Sequence, residues 1–229
     1  MNKLTVVGIG PGAADQMTLR AMRALQEADV IAGYGVYVDL VRPLFPDKET
    51  LVTPMRREAE RCRMAIAAAM EGRHVAMISS GDAGVYGMAG LIYELSQGMA
   101  LTIEVVPGVT AALSGGAVLG APLTHDFAVI SLSDLLTPWE TIERRLDAAA
   151  SADFCIAIYN PSSVRRADYL RRACEILLRH KRPDTLCGAV RNIGREGEEA
   201  ELMSLSALAD YRADMFTTVF VGNDRTREI

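Results

Sequence analysis

The sequence predicts an α/β protein made of two α/β units in tandem. Short apolar runs alternate with helical patterns along the chain, which implies crossover connections and a mostly parallel sheet covered on both faces. Several of those runs stop abruptly at glycine-rich turns, the usual punctuation at the end of a buried strand. The chain has 229 residues, 50% of them hydrophobic and 23% charged. At roughly 150 residues per domain, that length accommodates one large domain or two small ones, with enough apolar surface to bury a core without staples.

The elements follow in order. Leu4 to Ile9 is a continuous aliphatic run that reads as a buried strand. Thr18 to Ala28 has helical spacing, with Leu19, Met22 and Leu25 on one face. Val30 to Ala32 is a short strand that ends in Gly33-Tyr34-Gly35, and Arg57 to Met70 is rich in good helix formers. His74 to Ser79 is a strand broken by Gly81-Asp82-Ala83-Gly84; Gly87 to Ser96 is helical; Leu101 to Val106 is a strand that stops at Pro107-Gly108. Val109 to Leu119 is a small-residue helix, suited to close packing or to a ligand approaching the backbone. The second half repeats the alternation: strands at Ala128–Leu132, Phe154–Tyr159, Leu186–Val190 and Thr217–Gly222, and helices at Thr141–Ala150 and Arg166–His180. Glu201 to Ser204 reads as an antiparallel strand before a short helix at Leu205–Tyr211. The expected division gives residues 1–113 and 114–229, near Gly120-Ala121-Pro122.

Charge and cysteine usage narrow the function classes. Lys and Arg total 24 against 29 Asp and Glu, a net charge of −5, which argues against a nucleic-acid binder. The four cysteines (Cys62, Cys155, Cys174, Cys187) form no metal-ligand spacing and lie in predicted elements, so reduced, packed thiols and no metal site are expected. The start MNKLTVVGIGPG enters a strand at once, without a signal-peptide pattern, and no apolar run is long enough to span a membrane. A soluble, cytoplasmic protein is the expectation.

Three strand-end loops carry the functional signal. Gly8-Ile9-Gly10-Pro11-Gly12-Ala13 formally satisfies the dinucleotide fingerprint, but Pro11 removes a backbone donor from the loop. The acidic ribose-binding residue is also missing, since Asp29 precedes the second strand and Asp39 lies well beyond it. A nicotinamide-dependent oxidoreductase is the alternative that these details weaken. Ser79-Ser80-Gly81-Asp82-Ala83-Gly84-Val85-Tyr86-Gly87 and Val106-Pro107-Gly108-Val109-Thr110-Ala111-Ala112 are two further turns of the same kind, and successive strand-end loops define a cleft.

Together GIGPG, SGDAGVYG and VVPGVTAALSGGAVLGAPLT resemble the tetrapyrrole methylases, the class III methyltransferases that use S-adenosylmethionine. THDFAVISLSDLLTPWETIERRL, IYNPSS and AVRNIGREGE resemble one branch in particular. That branch methylates carbon 17 of precorrin-3B, or its cobalt-containing counterpart, and contracts the ring to precorrin-4 in cobalamin biosynthesis. Another tetrapyrrole methylase acting at a different ring position is the alternative within the family. Many members have proline after the Gly-Asp pair where this chain has Ala83.

The resemblance implies a cofactor cleft between two α/β domains, a homodimer, and S-adenosylhomocysteine as the leaving product. By motif, Pro11 walls the cofactor pocket, Gly81, Asp82, Val85 and Tyr86 lie beside it, and Thr110 and Ala111 contact it. From the second half, Tyr159, Asn160, Val190, Arg191, Thr217 and Thr218 are the matching positions, although β-propensity alone also accounts for the two threonines. The substrate is a tetrapyrrole bearing many acetate and propionate groups, which calls for arginine. Arg56, Arg57 and Arg195 are candidates for it, with Ser131, Ser133 and Asp134 as polar contacts. Methyl transfer itself needs mainly alignment, whereas ring contraction needs proton transfer, for which His125 and Asp126 are the apt pair. A strand cap or a propionate contact accounts for His125 equally well.

Overall fold

A computed structural model describes residues 2–163 and 165–229. The chain divides into two compact units, the first ending at Thr110 and the second spanning Ala111–Ile229. The cut expected after residue 113 falls inside the helix Ala111–Val118.

The first unit runs β1 (Lys3–Gly8), α1 (Leu19–Glu27), β2 (Val30–Tyr34), α2 (Gly35–Val41), β3 (Glu49–Thr53), α3 (Glu58–Met70), β4 (His74–Ser79), α4 (Ala89–Leu95) and β5 (Thr102–Val106). Its sheet has the order β3-β2-β4-β1-β5 and every pairing is parallel, so all five strands end on the same edge. The unbroken aliphatic run of β1 follows from burial on both faces. Leu4 and Val6 pack with Cys62, Ile66 and Ile92 from α3 and α4, while Val7 packs with Ala21, Leu25 and Val38 from α1 and α2. Helix α1 begins where Thr18 caps it, its hydroxyl accepting from Ala21 N at 3.1 Å.

Two elements of this unit go beyond the sequence reading. Helix α2 carries three valines, residues of modest helix propensity, and forms because Val38 and Val41 complete the core under β2. Strand β3 is the outermost strand and half exposed, so it shows neither a long apolar run nor a clean alternation.

The second unit opens with α5 (Ala111–Val118) and continues through β6 (Phe127–Ser131), α6 (Trp139–Ser151), β7 (Cys155–Tyr159), α7 (Tyr169–Leu177), β8 (Leu186–Arg191), β9 (Glu199–Ser204), α8 (Leu205–Leu208) and β10 (Thr217–Val221). Its sheet has the order β6-β7-β10-β8-β9. Only β6 and β7 are parallel; β10 runs antiparallel to β7 and β8, and β8 pairs with β9 as an antiparallel ribbon. The mostly parallel pattern therefore stops at β7, because the short turn between β8 and β9 leaves no room for a crossover. One consequence matters for the site. The first residues of β10 lie level with the last residues of β7 and β8, with Thr217 opposite Arg191 and Thr218 opposite Val190.

Helices α6, α7 and α8 cover one face of this sheet with Leu146, Leu170, Leu177 and Leu208. Helix α5 covers the other, where Ala112 packs with Ala157, Val190, Ile193 and Phe220. Its small residues are needed there: a Cβ on Gly115 would lie 2.8 Å from Ile193 Cδ1 and 2.9 Å from Phe220 Cζ.

All four cysteines are free and buried. Desolvation pushes the thiol of Cys62 up to about 11 and those of Cys174 and Cys187 up to about 12, so they stay protonated at neutral pH. A thiol reagent at pH 8 is expected to leave these three cysteines unmodified in the native protein and to modify them once urea has unfolded it; rapid native labelling contradicts this packing.

Candidate active site

In the first unit the loops after β1, β4 and β5 are joined backbone to backbone. Gly10 N donates to Gly81 O at 3.0 Å and Gly81 N donates to Gly10 O at 2.7 Å, while Ile9 N donates to Ser79 O at 2.9 Å. The loop after β5 comes equally close, since a Cβ on Gly108 would lie 2.2 Å from Gly81 O. No side chain fits there, and the three turns form a cradle of bare main chain.

Asp82 locks this cradle. Its Oδ1 accepts from Gly84 N at 2.7 Å and Val85 N at 3.1 Å, and its Oδ2 accepts from Gly108 N at 3.0 Å. One carboxylate thus holds the β4 loop in shape and ties it to the β5 loop. Pro11 follows Gly10 in a buried position, whereas Tyr86 stands exposed on a left-handed backbone, φ 54°. Val85 sits within the turn that Asp82 closes, and Thr110 ends the β5 loop just before Ala111 opens α5.

In the second unit, the sheet edge formed by the ends of β6, β7 and β8 and the start of β10 gathers most of the expected residues. Asn160, itself left-handed with φ 52°, donates through Nδ2 to Ser131 Oγ at 2.9 Å, and Ser133 N donates to the same oxygen at 3.1 Å. The Tyr159 hydroxyl accepts from Ala112 N at 2.7 Å, capping the first turn of α5. Arg191 donates through Nε to Asp214 at 2.8 Å, and Thr217 Oγ1 donates to the other oxygen of Asp214 at 2.8 Å. Val190 and Thr218 are buried beside them. The Arg195 guanidinium lies over the Phe216 ring, 5.6 Å from its centroid, on this same edge.

Asp134 is positioned by its own unit. Tyr169 donates its phenol to Asp134 Oδ2 at 2.7 Å, and Arg166 approaches to 4.0 Å. The same hydrogen bond pushes the Tyr169 phenol above its ordinary value, because ionisation would place two negative charges together. Asp134 therefore anchors the loop after β6, and its charge faces Tyr169 and Arg166.

His125 and Asp126 do not join this group. They precede β6, whereas Ser131 ends it, so roughly 13 Å of strand separates the two sets. They border a recess with Asp153, Phe154, Asn223 and Arg225 at the opposite edge of the sheet. Arg56 and Arg57 follow β3, at the outer end of the strand-end edge in the first unit. Two residues escaped the sequence reading, Asp214 and Arg61, and Gly108 was read only as part of the third turn. The spacing Asp214-x-x-Thr217 is a readable turn signal, but the close approach at Gly108 and the burial of Arg61 depend on pairings distant in sequence.

The chain matches the family described as Tetrapyrrole (Corrin/Porphyrin) Methylases over residues 3–209, and it belongs to that family. It is 48% identical to the probable cobalt-factor III C(17)-methyltransferase of Salmonella typhimurium, covering 97% of this chain and 93% of the relative. It is 43% identical to the precorrin-3B C(17)-methyltransferase of a Sinorhizobium species, covering 98% and 90%. The crystal structure of the methyltransferase CobJ superposes with a TM-score of 0.89 at 38% identity, covering 99% of this chain and 96% of that one. Other relatives are longer, and this chain spans 43% and 50% of two of them.

The role of Asp82 is testable. Asp82→Ala strands three backbone donors and is expected to lower the unfolding free energy by about 2–3 kcal/mol in urea titrations. Asp82→Asn, which keeps one acceptor oxygen, is expected to lose less.

Proposed function

We propose that the chain methylates carbon 17 of precorrin-3B or of its cobalt-containing counterpart and contracts the macrocycle, with S-adenosylmethionine as methyl donor. The observation that carries this is likeness along nearly the whole chain to relatives named for that position, at 48% and 43% identity.

The residues fit the cofactor. The three turns pack main chain against main chain at Gly8, Gly81 and Gly108, which fixes the shape of the loops proposed to hold the cofactor. A nicotinamide dinucleotide fits poorly, because Pro11 lacks an N–H and Tyr34 ends β2 where an acidic residue would hold the ribose. When bound, S-adenosylmethionine supplies a methyl group already activated on a sulfonium sulfur. Catalysis by the protein is then chiefly alignment.

In the first unit Pro11, Gly81, Asp82, Val85, Tyr86 and Thr110 serve the cofactor. In the second, Ala111, Tyr159, Asn160, Val190, Arg191, Thr217 and Thr218 do so. For Asp82 and Arg191, whose charged groups already bind Gly108 N and Asp214, the contribution is to hold the loop, leaving main-chain atoms to touch the ligand. Arg56, Arg57 and Arg195 receive substrate carboxylates, Ser131 and Ser133 hydrogen-bond the macrocycle, and Asp134 holds their loop. On its chemistry His125, beside Asp126, is the group assigned proton transfer in ring contraction, although roughly 13 Å of strand separates it from Ser131. No described helix is long and apolar enough to cross a membrane. The proposal that the enzyme works in the cytoplasm as a homodimer rests on the family resemblance.

Calorimetry should show binding of S-adenosylhomocysteine and none of NAD; binding of NAD alone overturns the reading. Labelled S-adenosylmethionine with cobalt-factor III or precorrin-3B should yield a methylated, contracted product, and the better substrate identifies the metal state. His125→Ala should leave S-adenosylhomocysteine affinity unchanged and lower turnover by about a hundredfold, the scale of general acid–base catalysis. Normal turnover removes His125 from the mechanism.

A further inference from the structure

Arg61 is only 5% exposed, yet among the described residues no carboxylate lies within ion-pair distance of its guanidinium. Its neighbours are neutral. Nε donates to Thr53 Oγ1 at 2.9 Å, Nη2 donates to the Pro54 carbonyl at 3.2 Å, and the guanidinium carbon stands 5.7 Å from the centroid of the Tyr34 ring. A buried charge without a counter-charge is costly, so proteins seldom keep one that has no use. Two glutamates occupy the first turn of α3 near it, but both are turned to other partners: Glu60 pairs with Arg57 at 3.0 Å, and Glu58 accepts from Arg56 N.

The guanidinium is not sealed in. Arg61 Nη1 has no protein acceptor among the described residues and keeps some solvent contact, because Arg73 Nε is the one fully buried side-chain nitrogen or oxygen there without a partner. The turn Thr53-Pro54-Met55-Arg56-Arg57, to whose Thr53 and Pro54 Arg61 bonds, also carries Arg56, which is exposed and makes no ion pair among the described residues. Arg56 also holds a left-handed backbone, φ 66°. This position lies on the strand-end edge of the first sheet, at β3 and β2, roughly 10 Å from the end of β4, counting two strand spacings.

We infer that Arg61, with Arg56 beside it, is a carboxylate-binding site that takes one acetate or propionate side chain of the tetrapyrrole. The inference rests on the substrate reading above and adds the residue that fixes the substrate's position. Arg61 supplies a rigid donor edge, pre-oriented by Thr53, Pro54 and Tyr34; Arg56 supplies a second cation from solvent. The fork of a guanidinium matches a carboxylate in a way that an ammonium group does not.

The test uses the full-length protein and its Arg61→Gln and Arg61→Lys variants, titrated with S-adenosylhomocysteine and, separately, with cobalt-factor III. Both variants are expected to bind S-adenosylhomocysteine within twofold of the parent. Arg61→Gln should weaken cobalt-factor III binding at least tenfold and flatten its dependence on salt concentration, with Arg61→Lys falling between. A merely structural Arg61 would instead lower both affinities together and leave the salt dependence unchanged, which overturns the assignment. So does undiminished cobalt-factor III binding by a folded variant. If Arg61→Gln does not fold, Arg61→Lys decides on the same readings. If the parent binds precorrin-3B instead, the same readings are taken with that ligand; failure of the parent to bind either compound overturns the substrate reading itself, and the inference falls with it.

Discussion

The main-chain junction of the β1, β4 and β5 loops constrains everything around it. Gly10 and Gly81 exchange hydrogen bonds, and Gly108 sits so close to Gly81 that a single methyl group would not fit. Such contact requires that parallel neighbours end level with one another, which the β4-β1-β5 pairing provides. It also leaves polar main-chain groups that need partners, and Asp82 meets three of them. A cradle of this kind is stiff because its walls are backbone held by short hydrogen bonds, with no rotamers to select.

The second unit reaches a comparable end by another route. Its sheet is mixed, so the residues on the functional edge come from strand ends and from a strand start. Asp214 joins Arg191 on β8 to Thr217 on β10, and Asn160 joins the end of β7 to Ser131 on β6. Side chains do here what glycines do in the first unit. The two solutions share one principle, which is that each polar group near the site is already oriented by a neighbour before any ligand arrives.

Arginine placement separates structure from function within one residue type. Arg171 faces Asp210 and Arg179 faces Glu143 on the solvated surface of the second unit, and Arg166, largely buried, faces Asp134. Arg61 differs because it is buried among neutral groups. An unmatched, buried guanidinium carries more information than the total number of arginines.

The amino-acid sequence by itself determined the α/β class, the alternation of elements, the three glycine turns and the family, because buried strands and tight turns impose local composition. It also singled out Asp82 and Asn160, each of which holds a neighbouring loop or strand end in the structure. It did not show that Asp82 spends its oxygens on Gly84, Val85 and Gly108, nor that Asp134 faces Tyr169, because those partners lie in other loops or elements. Strand β3 and helix α2 were hidden for a related reason: an edge strand and a valine-rich helix are stabilised by what they pack against, and their own residues signal something else. The predicted strand at Ala128–Leu132 already set His125 and Ser131 toward opposite ends of β6. Only the tertiary structure could reveal that Arg61 is buried with no acid within ion-pair distance among the described residues, since burial and charge compensation are properties of the assembled fold.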